Sequence, residues 1–491
     1  MKDKTGAGGG YWMNLPSDSI IVFDQGPWII GKIKNKVHLA LVQWYSNKPS
    51  SIFSPGPIIN GKAAMYVNPS DSLKYRIYKI SKGDNNSNLD YKDWPIQFGA
   101  PKTSDGKPKI YRGQTLFSVF NAMDSTTSYR DIWKTSRDTL PIMPVEIHQL
   151  AYASKGNSND NADIFSNIIF FEWTIINKGD NAIDSTYFSL WTDIDFLLTS
   201  KSYNIPSSDT TLNLGYLWSN NTTPSQPSIG YTLLFGPSVP SNGSTSIYKG
   251  KLKQNYKNLD MTSFHVFFGG GSTAPFDPAY SRKMAWNIAR GFYTNGNVKI
   301  NPSTNKPTKF TFSGDPVNDT DWLWKTYTGG GAGFNIFSGP FNLAPNDTQW
   351  VMMALIPAVG NDYRESIKIM RNKTKMLKSI PYDSLAFGKM PIAVNIKNEI
   401  NILPTENFLY QNYPNPFNPT TTIGYSINKS TNVSIALYDL LGRKIRELIN
   451  EVKPVGTYSF ILHGKDLSSG VYFIKLQTEN FYQTRKIILL K

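Results

Sequence analysis

The chain has 491 residues and no cysteine, which excludes disulfides, thiolate metal sites and thiol nucleophiles together. An aromatic share of 13%, with 37 Gly, 31 Pro and a charged fraction of only 18%, favours strands and turns over helical repeats. The formal net charge of +15 admits nucleic acid, an acidic polysaccharide or an anionic bacterial surface as partner, but reads first as an ordinary solvated surface with no specific anionic partner. Its lysines are spread along the chain with no zinc-finger, basic-zipper or RNA-binding module, so nucleic acid is not an expected partner.

Residues 1–10, MKDKTGAGGG, carry no apolar stretch and do not read as a secretory signal peptide. No run of about twenty apolar residues marks a transmembrane helix. Short apolar runs at 19–23, 28–33, 37–44, 63–67 and 75–80 are spaced as in meandering antiparallel sheets, with a polar loop over 81–91. Residues 1–135 form the expected N-terminal β-rich region, and 136–382 a central β-sandwich region. Its clearest signal is IIFFEWTII at 168–176, a turn at Asn177-Lys178-Gly179-Asp180, then STYFSLWTDID at 185–195, a pattern that predicts a hairpin at the centre of the core. Further strands are expected at 230–235, 264–268, 309–313 and 350–356.

One helix stands out at 362–378. Asp362 with Glu365 makes a capping-box pattern, and Tyr363, Ile367, Met370, Thr374 and Leu377 share a face. The opposite stripe, Arg364, Lys368, Arg371, Lys375 and Lys378, reads as a solvated face. Residues 383–404 read as a linker, and the chain changes character from 405 to 491. The fold class is therefore all-β: two or more antiparallel β-sandwich units, one short helix near 362–378, and a small C-terminal seven-stranded sandwich.

That last unit is carried by ordered blocks. Residues 411–419 read QNYPNPFNP and include Tyr413, Pro414, Asn415, Pro416, Phe417, Asn418 and Pro419. TTTIGY follows, then VSIALYD ending in Asp439, LGR with Gly442 and Arg443, Gly456 and Tyr458, and LSSGVYFIKL with Gly470, Val471 and Tyr472. The chain closes on RKIILLK. In this order the blocks resemble the type A C-terminal sorting domain of the type IX secretion system. The resemblance implies an immunoglobulin-like sandwich read by an outer-membrane translocon. It also implies export through the periplasm to the outer surface or the medium. The upstream stretches FEWTIINKGDNAIDSTYFSLWTDIDF, SDTTLNLGY, FSGDPV and SGPFNLAPNDTQWVMMAL resemble large secreted β-proteins that carry this domain and have no assigned activity.

No catalytic signature accompanies this address. Asp193, Asp195 and Asp209 are the candidates for a calcium ion, but the segment after Asp195 is FLLTSKSYNIP and supplies no further acid before Asp209. No cofactor is otherwise expected. The histidines His38, His148, His265 and His463 are far apart and lack zinc or triad spacing. Asp315 and Asp321, beside Trp322 and Trp324, are the carboxylates that a glycosidase would use. The glycine runs at 269–271 and 329–331 lack the lysine of a phosphate loop. The expected function is a non-enzymatic structural or binding element, with itself, in a filament or sheath, or a surface polysaccharide as partner. The alternatives are a secreted glycosidase or peptidase, and a carbohydrate-binding adhesin.

Overall fold

The computed structural model describes residues 11–12, 20–45, 48–51, 53–123, 143–154, 165, 167–194, 196, 204–220, 226–268, 276, 279, 281–324, 332–388, 407–410, 412 and 415–490. The chain is mostly β, and it divides into a body within residues 1–155 and 167–390 and a second unit that groups 156–166 with the tail, 391–491.

The body is built on two antiparallel sheets of six and nine strands. The six-stranded sheet has Ile183–Ile194 near its centre, flanked by Ile20–Ile33 and Ala332–Leu343. The nine-stranded sheet runs from Ile205–Asp209 through Leu214–Trp218, Ser228–Phe235, Thr348–Ala358, Ile169–Asn177 and Val145–Ala153 to Gln114–Asn121. Between the sheets lies one continuous apolar core in which Trp173, Phe188, Leu190, Tyr231, Phe264 and Phe334 are buried. Several of its rings meet in tilted or edge-on pairs, such as Trp173 with Phe188 at 5.3 Å. Strands on either side of residues 135 and 136 share one sheet, because Gln114–Asn121 pairs along its whole length with Val145–Ala153.

The structure corrects the expected hairpin. Ile169–Asn177 pairs with Val145–Ala153 and Thr348–Ala358 in one sheet, whereas Ile183–Ile194 pairs with Ile20–Ile33 and Ala332–Leu343 in the other. The turn at 178–182 therefore carries the chain across the sandwich. Asn177 fixes this crossing: its Nδ2 donates to the carbonyls of Asn181, Leu343 and Ala344, and its Oδ1 accepts from Gly179 N. Both strands bury nearly every residue, as strands covered on both faces must.

Other local readings also change. Residues 64–67 form a helical turn, Ala64–Val67, followed by a 3-10 turn over Pro69–Tyr75, because Pro69 interrupts strand pairing. Residues 309–313 form no strand beyond a single bridge from Phe310 to Phe264. Helix Tyr363–Ser379 forms as predicted. Asp362 Oδ1 accepts from Glu365 N at 2.7 Å, and Glu365 Oε2 returns to Asn361 N. A second helix, Arg282–Ala289, and a short one, Tyr382–Phe387, were not expected. The short helix Tyr382–Phe387 occupies the start of the expected linker.

The tail unit packs three strands, Phe408–Leu409, Thr420–Ile427 and Gly456–His463, against four: Lys444–Lys453, Thr431–Tyr438, Gly470–Thr478 and Phe481–Leu489. Its own core joins Ile423, Tyr425 and Leu462 from one sheet to Val433, Leu437, Ile474 and Leu489 from the other.

Candidate functional site

In the tail unit the motif residues divide into a lock and a display. Phe417 is buried, and its backbone brackets the last strand: its N–H donates to Ile488 O at 2.9 Å and its carbonyl accepts from Leu490 N at 3.0 Å. Asn415 adds a side-chain pair, donating Nδ2 to Lys486 O and accepting at Oδ1 from Ile488 N. Earlier in the segment, Arg485 Nε donates to Leu409 O. Pro416 and Pro419 have no N–H to offer a ladder, so this stretch crosses the edge of the last strand without extending the sheet. The proline-rich entry thus covers the outer edge of Phe481–Leu489. Tyr413 and Pro414 lie outside the described residues.

The display is the turn after Thr431–Tyr438. Asp439 Oδ1 accepts from Leu441 N and Arg443 N, both at 2.9 Å, and its Oδ2 accepts from Arg443 Nε at 2.7 Å. These bonds, the backbone N–H of Arg443 first, hold the Asp439 carboxyl below its ordinary range. Gly442 takes φ +76°, the left-handed region the turn requires. Leu440 and Leu441, at 67% and 78% exposure, stand out from this clamped frame. Tyr458 and Tyr472 each donate a hydroxyl to a carbonyl four residues earlier, Pro454 and Ser468. Gly456, Gly470 and Val471 sit at the starts of their strands.

In the body, the expected acids have structural partners. Arg371, on the helix stripe read as solvated, is largely buried and takes two of them: its Nη1 donates to Asp315 Oδ1 at 2.7 Å, and its Nε stands 3.2 Å from Asp209 Oδ2. Its Nη2 reaches Tyr216 Oη at 3.2 Å. Burial opposes ionisation of Asp315, but the Arg371 guanidinium more than offsets it and lowers its pKa. Asp209 Oδ1 meanwhile caps the turn at Thr211 and Leu212. Asp321 Oδ1 accepts from Asn301 Nδ2 at 3.1 Å and from Trp322 N at 2.8 Å.

Asp193 lies on Ile183–Ile194, in the other sheet from Asp209, and its cross-strand neighbour is Asp24. Burial raises the Asp24 pKa to about 6. Asp195 lies outside the described residues, as do both glycine runs. Among the described residues no three His, Asp or Glu side chains gather as a metal site. His148 bonds to Glu146 Oε1 at 2.8 Å and packs edge-on to Phe117, as a strand residue.

Sequence reasoning missed a buried carboxyl of the body and its hydrogen-bond cluster. Glu172, inside the apolar run FFEW, accepts from Tyr152 Oη at 2.8 Å, Tyr382 Oη at 3.0 Å and Trp350 Nε1 at 2.9 Å. Burial raises its pKa despite the nearby Lys249 ammonium. A charged residue interrupting such a run was the available signal. Beside this cluster opens a cleft of about 500 Å³ lined by Lys82, Lys109, Ile110, Arg112, Asp383 and Phe387.

The tail is thus a seven-strand unit with its own core, an ordered edge lock and a clamped apolar turn. Residues 411–490 match the family of secretion system C-terminal sorting domains, a tail that implies export to the cell surface or the extracellular space. No curated protein matches the chain. Among solved structures, a polysaccharide lyase is similar at 7% identity and a TM-score of 0.20, over 72% of this chain and 34% of that one. The chain thus corresponds to about a third of that enzyme's length. No described helix is long and apolar enough to cross a membrane.

Proposed function

We propose that the body of this exported protein is a binding or structural element at the cell surface and not a catalyst. The observation that carries the reading is the engagement of Asp315, one of the two candidate glycosidase acids, by the guanidinium of Arg371, which also pairs with Asp209. A carboxylate pair serving glycoside hydrolysis needs one acid protonated and the other free to act on water or the sugar. Here Arg371 holds Asp315 ionised and ties it to a packed helix. The sorting tail supports delivery of such an element to the surface, where a two-sheet body can present broad faces and long strands.

The test is to incubate the purified full chain with panels of polysaccharides and peptides, and in parallel to probe a glycan array. Retention of glycans without new reducing ends or cleaved peptides supports the reading. Turnover that disappears in Asp315→Asn overturns it in favour of a secreted hydrolase. Self-assembly is the structural form of the same reading. Strands Ser238–Tyr248 and Lys251–Asn258 make a two-stranded sheet of their own, whose outer edges suit strand addition. Sedimentation of the full chain at rising concentration separates the two forms: filaments favour assembly, a monomer that retains glycans favours binding.

A further inference from the structure

The cleft beside the Glu172 cluster draws its lining from three distant parts of the chain: Lys82 from the loop after Tyr78–Ser81, Lys109 to Arg112 from the segment before Gln114–Asn121, and Asp383 with Phe387 from the short helix Tyr382–Phe387. Their convergence depends on packing that would serve no local purpose. Arg112 holds the helix in place, donating Nε to Leu385 O at 2.5 Å and Nη2 to Ser384 O at 2.8 Å. Lys109 Nζ sits 4.1 Å from the centre of the Phe387 ring, within cation–π range. The wall therefore brings together three cationic side chains, one carboxylate and one aromatic ring.

We propose that this cleft binds a negatively charged saccharide, carrying uronate carboxylates or sulfate esters, that the exported protein meets outside the cell. The inference rests on reading the body as a binding element and gives that reading a ligand class. Lys82 and Lys109 supply charge for spaced anionic groups, and the apolar ring of Phe387 suits the C–H face of a sugar. Asp383 adds an acceptor for hydroxyl groups, and its negative charge on the rim disfavours a dense polyphosphate. The loops that carry Lys82 and Lys109 also wall a second cavity of about 490 Å³, lined by Asn85, Asn86, Tyr91, Lys92 and Lys107. Pro108 lines the second cavity and the next residue, Lys109, the first, so the two draw on one continuous segment, which suits a chain of several sugar units over a single small anion. The net charge of +15 adds long-range attraction for such a chain.

The experiment is calorimetric titration of the purified full chain with three probes: oligogalacturonate, a heparin-derived oligosaccharide and a neutral cello-oligosaccharide. Binding of either anionic probe and not of the neutral one, weakening as salt is raised, is expected. Because heparin carries both uronate carboxylates and sulfate esters, tighter binding of that probe than of oligogalacturonate shows a contribution from sulfate beyond carboxylate alone. Lys82→Gln and Lys109→Gln should each weaken binding about tenfold, the loss of one charge-assisted contact. Lys306→Gln, an exposed residue of the strand Lys306–Thr308 outside the lining of either cavity, should leave binding unchanged. Lys82 is exposed, so its substitution tests the site without disturbing the fold. Anionic binding that ignores both cleft substitutions overturns the cleft while leaving a binding body intact. Equal binding of the neutral probe overturns the charge argument. No retention of these probes, together with an empty glycan array, overturns the cleft and the binding reading with it.

Discussion

Lys299 offers the most direct test of the body's energetics. Its side chain is fully buried, with Nζ donating to Phe264 O at 2.8 Å and Thr311 Oγ1 at 3.3 Å, and burial lowers its pKa from 10.5 to about 7. That depression of about 3.5 units corresponds to on the order of 4–5 kcal/mol lost from folding wherever the unfolded chain is protonated and the folded one resists protonation. Because the folded pKa is the lower one, stability rises with pH between about 7 and 10.5, and is at its flat minimum below that window. Lys299→Met keeps an unbranched apolar side chain and removes the penalty, at a cost of about 1 kcal/mol in hydrogen bonds. Phe264 O keeps donors from Thr311 N and Thr311 Oγ1, so no carbonyl is orphaned. The variant should be more stable by about 3 kcal/mol near pH 6, with the gain vanishing by about pH 10. Urea unfolding of the full chain followed by tryptophan emission is the assay, since the last tryptophan is Trp350 and the tail contributes none. A variant no more stable than the parent at low pH, or an advantage that does not change with pH, would refute the reasoning.

Three further outcomes are expected. Glu172→Ala strips three buried donors, Tyr152, Tyr382 and Trp350, of their acceptor and should cost roughly 3–5 kcal/mol, measured by the same unfolding curves. Since burial raises the Glu172 pKa, its contribution fades as pH rises above the ordinary carboxylate range, and Glu172→Gln should flatten that fall. Arg371→Gln leaves Asp209 and Asp315 without their cation and should destabilise the body by about 2–4 kcal/mol, with Arg371→Lys intermediate because it cannot span both carboxylates. Leu440→Ser with Leu441→Ser should reduce the protein recovered outside the cell while the purified variant unfolds like the parent, because both side chains are exposed at the turn tip; unchanged export would remove that turn from recognition.

The tail was readable from sequence because its determinants are local and ordered. Prolines 416 and 419, the Asp439 turn and the glycine at 442 each dictate backbone within a few residues, so their linear order already implies the unit. Helix Tyr363–Ser379 was readable for the same reason, its cap and apolar face both lying within the segment. Its solvent-facing reading failed at Arg371, since periodicity shows which residues share a face but not what that face meets. Candidate chemistry fared likewise. The sequence shows that Asp209 and Asp315 exist, and only packing reveals that they share one arginine.

By itself, then, the sequence determined the strand-rich character of the chain, the capped helix and the exported tail, all of which follow from short-range sterics, capping and turn chemistry. Tertiary structure alone decided that Ile169–Asn177 and Ile183–Ile194 join opposite sheets, and that Lys82, Lys109 and Phe387 face one cleft. The physical reason is that a short glycine-containing turn serves a hairpin and a crossing equally well. The choice rests on which long-range partners bury both faces of each strand and satisfy Asn177.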